Sequence, residues 1–73
     1  IGTAGTIGSG AYQDVIAGLD REAAIFVRSC PLFVPLAEEG WLEGEVPEAA
    51  ARSYLAPLLA ENIDTLVLGC THY

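Results

Sequence analysis

Positive charge is scarce in this sequence. Only three of its 73 residues are cationic, Arg21, Arg28 and Arg52, and no lysine is present, whereas ten residues are acidic and the net charge is −7. Nucleic acids and anionic membranes bind basic surfaces, because arginine and lysine neutralise their phosphate groups. The sequence therefore predicts neither a nucleic-acid-binding protein nor one that binds an anionic membrane.

Long apolar runs and cysteine-rich patterns are absent as well. Although 52% of the residues are hydrophobic, no run approaches the roughly 20 apolar residues of a membrane-spanning helix. The first residues do not form the basic and then apolar pattern of a signal peptide. The two cysteines, Cys30 and Cys70, lack the spacing of a disulfide framework or a zinc ribbon. We therefore expect a reduced, cytoplasmic setting.

The length of the chain limits it to one small domain. A chain of this size buries only roughly 60% of its surface on folding. It has no initiator methionine, begins inside an apolar segment and stops at Tyr73. We therefore expect residues 1–73 to be a partial domain of a longer protein, with part of its apolar surface facing segments outside this chain.

Two short apolar segments predict buried β-strands. Residues 65–68 form a four-residue apolar run, and residues 23–27 concentrate β-branched and aromatic residues between charged neighbours. A third strand is expected to end in the glycine-rich segment that precedes Ser9, where a helix should open.

Helical patterns separate these segments. Residues 12–19 predict a short helix, and a second helix is expected from Pro31 to a stop at Gly40. An alanine-rich third helix is expected to start at Pro47 and to be kinked or divided by Pro57.

The alternation of strands and helices favours right-handed crossovers and parallel strands. We therefore predict an α/β fold, a fragment of the three-layer type with a short parallel sheet and flanking helices. The strand ends at Thr3 and Thr6, at Cys30 and at Cys70 should then share one edge of the sheet. Open α/β sheets bind their ligands at that edge.

The residues that end the chain suggest chemistry at this edge. Cys70, Thr71 and His72 place a thiol, a hydroxyl and an imidazole directly after a glycine. The residues alone leave a second interpretation equally open, because free cysteines often serve as small buried hydrophobic residues. Cys30 is a rival nucleophile, since a helix amino terminus after Pro31 would stabilise its thiolate.

Three segments resemble blocks of the glutamate racemase family in the same order. LVLGCTHY resembles the motif around the second catalytic cysteine, and GTAGTIGSGAYQ and SCPLFVPLAEEG resemble two further blocks. The resemblance implies a fragment from the C-terminal half of an amino-acid racemase (an isomerase of the aspartate/glutamate racemase superfamily), without the segment that carries the first catalytic cysteine. The family supplies D-glutamate for peptidoglycan, and thus for cell-wall biogenesis and cell shape.

The resemblance also implies roles for individual residues. Cys70 would be one of two thiols that exchange a proton with the Cα of glutamate from opposite faces. His72 would set the protonation of Cys70, and Glu38, rather than Glu39, would orient His72. In the same family block Cys30 is a packed thiol without a catalytic role.

Substrate binding and the cofactor requirement follow from the same resemblance. Thr3, Thr6, Thr71 and His72 would hold the small-molecule substrate, glutamate. No cofactor and no metal ion are expected, since the chain has no lysine that could form a Schiff base with pyridoxal phosphate. The resemblance allows for a homodimer of the intact enzyme.

Other functions remain open from the sequence. A related racemase could act on aspartate or a hydantoin, because these enzymes share the design with two cysteines. Cys30, Cys70 and His72 could bind a metal ion, although they lack paired ligand spacing. The chain could also be a non-catalytic α/β interaction fragment, which its apolar and acidic composition would suit.

Overall fold

The computed structural model describes all 73 residues, and helices account for about half of them. The four helices are α1 (Ala4–Ser9), α2 (Ala11–Leu19), α3 (Phe33–Glu38) and α4 (Glu45–Leu59). None of them has the length and apolar character needed to cross a membrane.

Helix α1 occupies the glycine-rich segment in which the sequence predicts the end of a strand. The Oγ1 atom of Thr3 accepts a hydrogen bond from the backbone N–H of Thr6 at 3.2 Å and so caps the helix. This bond satisfies a donor that would otherwise lack a partner in the first turn, which lets the segment become helical despite its glycines. Gly10 adopts a φ of 71° and separates α1 from α2.

The other helices lie close to the predicted positions, with shifted ends. Helix α3 begins at Phe33, two residues after Pro31, and Gly40 follows its end with a φ of 74°. Helix α4 begins two residues before Pro47. Pro57 lies inside this helix and does not divide it, although its missing N–H removes one bond to the carbonyl of Ser53.

The prediction of an α/β fold with a parallel sheet is wrong for this chain. Residues 23–27 and 65–68 have no regular secondary structure, and one parallel bridge, between Gly2 and Ser29, is the whole of the β-structure. The two segments lie on the walls of a groove of about 630 Å³, with Ile1 also in its lining. Because a strand requires a hydrogen-bonded neighbour, segments separated by a groove form no ladder.

Backbone hydrogen bonds nevertheless join three segments at their carboxyl ends. The N–H of Gly2 donates to the carbonyl of Arg28 at 3.2 Å. The carbonyl of Gly2 accepts a hydrogen bond from the N–H of Cys30 at 2.9 Å. On the other side, the carbonyl of Ile1 accepts a hydrogen bond from Gly69 N–H at 2.9 Å. The first two residues therefore lie between the segments that lead to Cys30 and to Cys70.

The buried core of the chain is small. Only four residues are buried, namely Gly2, Cys30, Tyr54 and Leu58. Large apolar side chains remain exposed, among them Phe26, Val27, Leu66, Val67 and Leu68. Most of the apolar side chains of the sequence are thus not buried within this chain.

Candidate functional site

A turn at the end of the chain brings Cys70 and His72 together. The backbone N–H of Tyr73 donates to the carbonyl of Cys70 at 3.2 Å, which closes the turn. The Sγ atom of Cys70 then lies 3.8 Å from Nδ1 of His72, within hydrogen-bonding reach for sulfur. Cys70 is partly exposed, so its thiol is accessible to a small molecule.

Glu38 lies on the other side of the His72 ring. Its Oε1 atom is 3.3 Å from Nε2 of His72, and the two side chains are 61% and 43% exposed, respectively. An ion pair this exposed adds little to stability, because water screens the charges. The contact places a carboxylate beside the imidazole ring of His72.

The two contacts of His72 favour one tautomer of its neutral ring. A carboxylate only accepts hydrogen bonds, so the tautomer with its hydrogen on Nε2 suits the 3.3 Å approach of Glu38. In the neutral ring Nδ1 is then unprotonated and can accept the proton of the Cys70 thiol. The order carboxylate, imidazole, thiol is thus suited to producing a thiolate at Cys70.

Cys30 has the opposite environment. Its side chain is completely buried, and Sγ lies 3.8 Å from the carbonyl oxygen of Arg28. Burial raises the pKa of the Cys30 thiol, and the positive charges of the chain amino terminus and of Arg28 offset this effect only in part. A neutral, inaccessible thiol is the form expected of a packing residue.

Tyr73 connects the site to the interior. Its hydroxyl donates to the carbonyl of Cys30 at 3.4 Å, and its ring packs edge-on against Phe33 with centroids 5.5 Å apart. Burial raises the pKa of Tyr73, and nearby Cys30 and Cys70 add to the shift. Sequence reasoning did not single out Tyr73 or Phe33, and the only available signal was the position of Tyr73 next to His72.

The predicted threonines occupy different settings. Oγ1 of Thr3 and Oγ1 of Thr6 are hydrogen-bonded to each other at 3.0 Å at the start of α1. Thr3 directly follows the Ile1 and Gly2 segment, and the Ile1 carbonyl bonds to the N–H of Gly69, the residue before Cys70. Thr71 is exposed within the turn itself.

The alternative of a metal site through Cys30, Cys70 and His72 finds no support in the geometry. No three side chains of histidine, cysteine, aspartate or glutamate are grouped so that they could hold a metal ion. The burial of Cys30 away from solvent agrees with this result.

Comparison with known proteins shows that the chain is similar in sequence to glutamate racemases of several bacteria. It is 56% identical to the glutamate racemase of Geobacter metallireducens, 58% identical to that of Syntrophus aciditrophicus and 49% identical to that of Aquifex aeolicus, in each case over all 73 residues. The chain spans only 27% of the first two proteins and 28% of the third. A scan against models of protein families gives no match.

Proposed function

Because the chain belongs to the glutamate racemase family, as a segment of about a quarter of such a protein, we propose that the intact protein interconverts L- and D-glutamate with Cys70 as one of two proton-transferring thiols. The observation that carries the proposal is the contact of Cys70 Sγ with His72 Nδ1. It gives the one accessible thiol of the chain a neighbouring base.

The first step is the activation of Cys70. Its Sγ proton moves to Nδ1 of His72, which leaves a thiolate and an imidazolium ion. Glu38 faces the other nitrogen of the ring at 3.3 Å and stabilises the positive charge that forms there. Glu38 therefore favours the ionised state of the pair.

The second step is proton exchange at Cα. The Cys70 thiolate removes the Cα proton of glutamate, and the electron pair of the broken C–H bond remains on Cα and is shared with the α-carboxylate. A second thiol, contributed by a part of the intact protein outside this chain, delivers its own proton to the opposite face of Cα. The configuration is inverted, Cys70 ends protonated and the second thiol ends as a thiolate, without a cofactor.

Cys30 does not fit the role of that second thiol. It is completely buried, its pKa is raised by burial, and its backbone is tied to Gly2. The substrate must reach both thiols, so a sealed thiol cannot take part. Thr71, together with Thr3 and Thr6, supplies hydroxyl groups for binding the substrate carboxylates and amino group.

The product of this reaction, D-glutamate, is a component of bacterial peptidoglycan. We place the intact protein accordingly in the cytoplasmic stage of cell-wall synthesis. This assignment depends on the identity of the substrate, which the family relationship supports.

The test is a pair of substitutions in the intact protein. Cys70→Ser should abolish racemisation, because a serine hydroxyl is too weak an acid to provide the anion, whereas Cys30→Ser should retain most of the activity. Circular dichroism of L- and D-glutamate follows the reaction, and a parallel assay with aspartate tests the substrate. Full activity of Cys70→Ser together with loss in Cys30→Ser would reverse the assignment of the two cysteines.

A further inference from the structure

Tyr54 on α4 is one of the few buried side chains, and it contacts the start of α3. Its hydroxyl accepts a hydrogen bond from the backbone N–H of Leu32 at 3.0 Å. Leu32 precedes the first residue of α3, and no side chain within that helix caps its amino end. Tyr54 therefore supplies, from another helix, an acceptor for the N–H of the N-cap residue of α3.

The ring of Tyr54 also begins a row of aromatic contacts. It meets the ring of Phe33 edge-on with centroids 5.1 Å apart, and Phe33 meets Tyr73 in the same way at 5.5 Å. Edge-to-face pairs at these distances have a preferred geometry and resist sliding. The row leads from α4 to the residue next to His72.

Helix α3 is a second connection between Tyr54 and the site. The helix has six residues, with Phe33 at its start and Glu38 at its end, so it is a rigid unit about 9 Å long. A displacement of its first turn is transmitted to Glu38. Tyr54 thus constrains Glu38 through α3 and His72 through Phe33 and Tyr73.

We propose that Tyr54 is a positioning residue that holds Glu38 and His72 at the separation needed to activate Cys70. It touches none of these three side chains and acts only through α3 and the aromatic row. The inference rests on the proposed function, because it assigns Tyr54 a part in the same proton transfer. It also predicts an effect on the chemistry of the Cys70 thiol itself, which can be measured without racemisation.

The experiment compares Tyr54→Phe and Tyr54→Leu in the intact protein. Tyr54→Phe keeps the aromatic row and removes only the hydrogen bond to Leu32, and we expect kcat to fall roughly tenfold with little change in KM. Tyr54→Leu also removes the ring contact, and we expect a fall in kcat approaching about 100-fold. The rate at which iodoacetamide alkylates Cys70, followed by peptide mass spectrometry, should fall several-fold in the same order.

Leu58→Ala is the matched control. Leu58 is buried on the same helix, lines the groove beside residues 23–27 and 65–67, and takes no part in the aromatic contacts of Tyr54, Phe33 and Tyr73. The substitution lowers the melting temperature, yet kcat per folded molecule and the alkylation rate of Cys70 should stay near their wild-type values. The control thus separates positioning from a general loss of stability.

The outcomes are distinct. The role of Tyr54 would be overturned if Tyr54→Phe kept the wild-type kcat and the wild-type rate of Cys70 alkylation. It would also be overturned if Leu58→Ala lost as much of both as Tyr54→Phe does. Both tests remain valid even if Tyr54→Leu fails to fold. If the wild-type intact protein did not racemise glutamate, the proposed function would be wrong. Slower alkylation in Tyr54→Phe would still establish that Tyr54 positions the groups around Cys70.

Discussion

The Nε2 atom of His72 lies 3.3 Å from Oε1 of Glu38, and this contact joins the end of α3 to the turn that carries Cys70. Because both side chains are largely exposed, the contact contributes little to folding. In the proposed mechanism its effect is chemical, since a ring that turns Nε2 to Glu38 presents Nδ1 to the thiol. We therefore expect Glu38 to affect activity more than stability.

Replacing Glu38 tests this relationship. Glu38→Gln removes the negative charge that stabilises the imidazolium ion, and an amide in its place could also turn its NH2 group toward the ring. We expect kcat of the intact protein to fall about 10- to 100-fold, less than the roughly 10²- to 10⁴-fold that a general acid or base itself contributes. The rate of L- to D-glutamate conversion measures the effect.

Glu39→Gln is the matched control for Glu38→Gln. It makes the same change of charge one residue later, while Glu38 keeps its carboxylate 3.3 Å from His72 Nε2. Its activity should remain close to the wild-type value. Equal losses in the two variants would mean that the acidic character of this helix end, and not the contact with His72, supports activity.

Gly69 is predicted to be intolerant of any side chain. A Cβ atom at this position would lie 2.9 Å from the backbone oxygen of Ile1 and 3.4 Å from the ring of Tyr12. The Ile1 oxygen is held by the N–H of Gly69 itself, so it cannot move aside without loss of that bond. Gly69→Ala should therefore destabilise the protein by about 1–3 kcal/mol and displace Cys70.

Gly18→Ala provides the comparison for Gly69→Ala. Gly18 lies within α2, and a Cβ atom there would meet nothing within 4 Å. Alanine in a helix is favoured over glycine by roughly 0.5–1 kcal/mol, so the free energy of unfolding should rise slightly. Urea unfolding of the two variants should give shifts of opposite sign, and a neutral Gly69→Ala would contradict the close packing at this position.

The buried thiol of Cys30 predicts a loss of stability in alkaline solution. The ordinary pKa of this group is 9.0, and burial raises it in the folded protein. The unfolded chain therefore releases the thiol proton at a lower pH than the folded chain does. The stability that the protonated Cys30 thiol gives the folded state is fully present below about pH 9, and it is lost as the pH rises through the raised pKa of the folded state. Tyr73, whose pKa burial raises from 10.0, adds a similar loss at higher pH.

Urea midpoints of the intact protein between about pH 8 and pH 10.5 measure this loss. Cys30→Ser lacks the titrating thiol, so its midpoint should fall less steeply with pH than that of the wild type. Parallel curves for the two proteins would show that Cys30 does not carry the alkaline transition.

The helices could largely be predicted from the sequence, whereas the sheet could not. Local signals such as Gly40 and the alanine-rich run of α4 depend only on neighbouring residues in the sequence. They predict the ends of α3 and α4 to within a few residues of the observed ends. A sheet depends on partners that are distant in the sequence. The apolar runs at 23–27 and 65–68 predict strands, but in this chain a groove separates them, and Ile1 and Gly2 bond to residues that follow their carboxyl ends.

The LVLGCTHY motif is enough to predict Cys70 and His72 as site residues, but it does not predict the contacts that support them. Cys70 and His72 are two positions apart, so one turn suffices to bring them together. Tyr54 lies four residues before Leu58, a spacing that indicates one buried helix face, and both side chains are buried. Its hydrogen bond to Leu32 depends on how α4 packs against α3, which no local pattern encodes.

The isolated 73-residue chain should not racemise glutamate. Inversion by two thiols requires one on each face of Cα, and this chain offers the substrate only Cys70, since Cys30 is completely buried. Circular dichroism of D-glutamate incubated with the purified chain should therefore stay constant, while the intact protein changes it under the same conditions. The same chain with Cys70→Ser controls for traces of a contaminating racemase. Interconversion by the wild-type chain that disappears in this variant would show that Cys70 and His72 suffice, and the requirement for a second thiol would have to be abandoned.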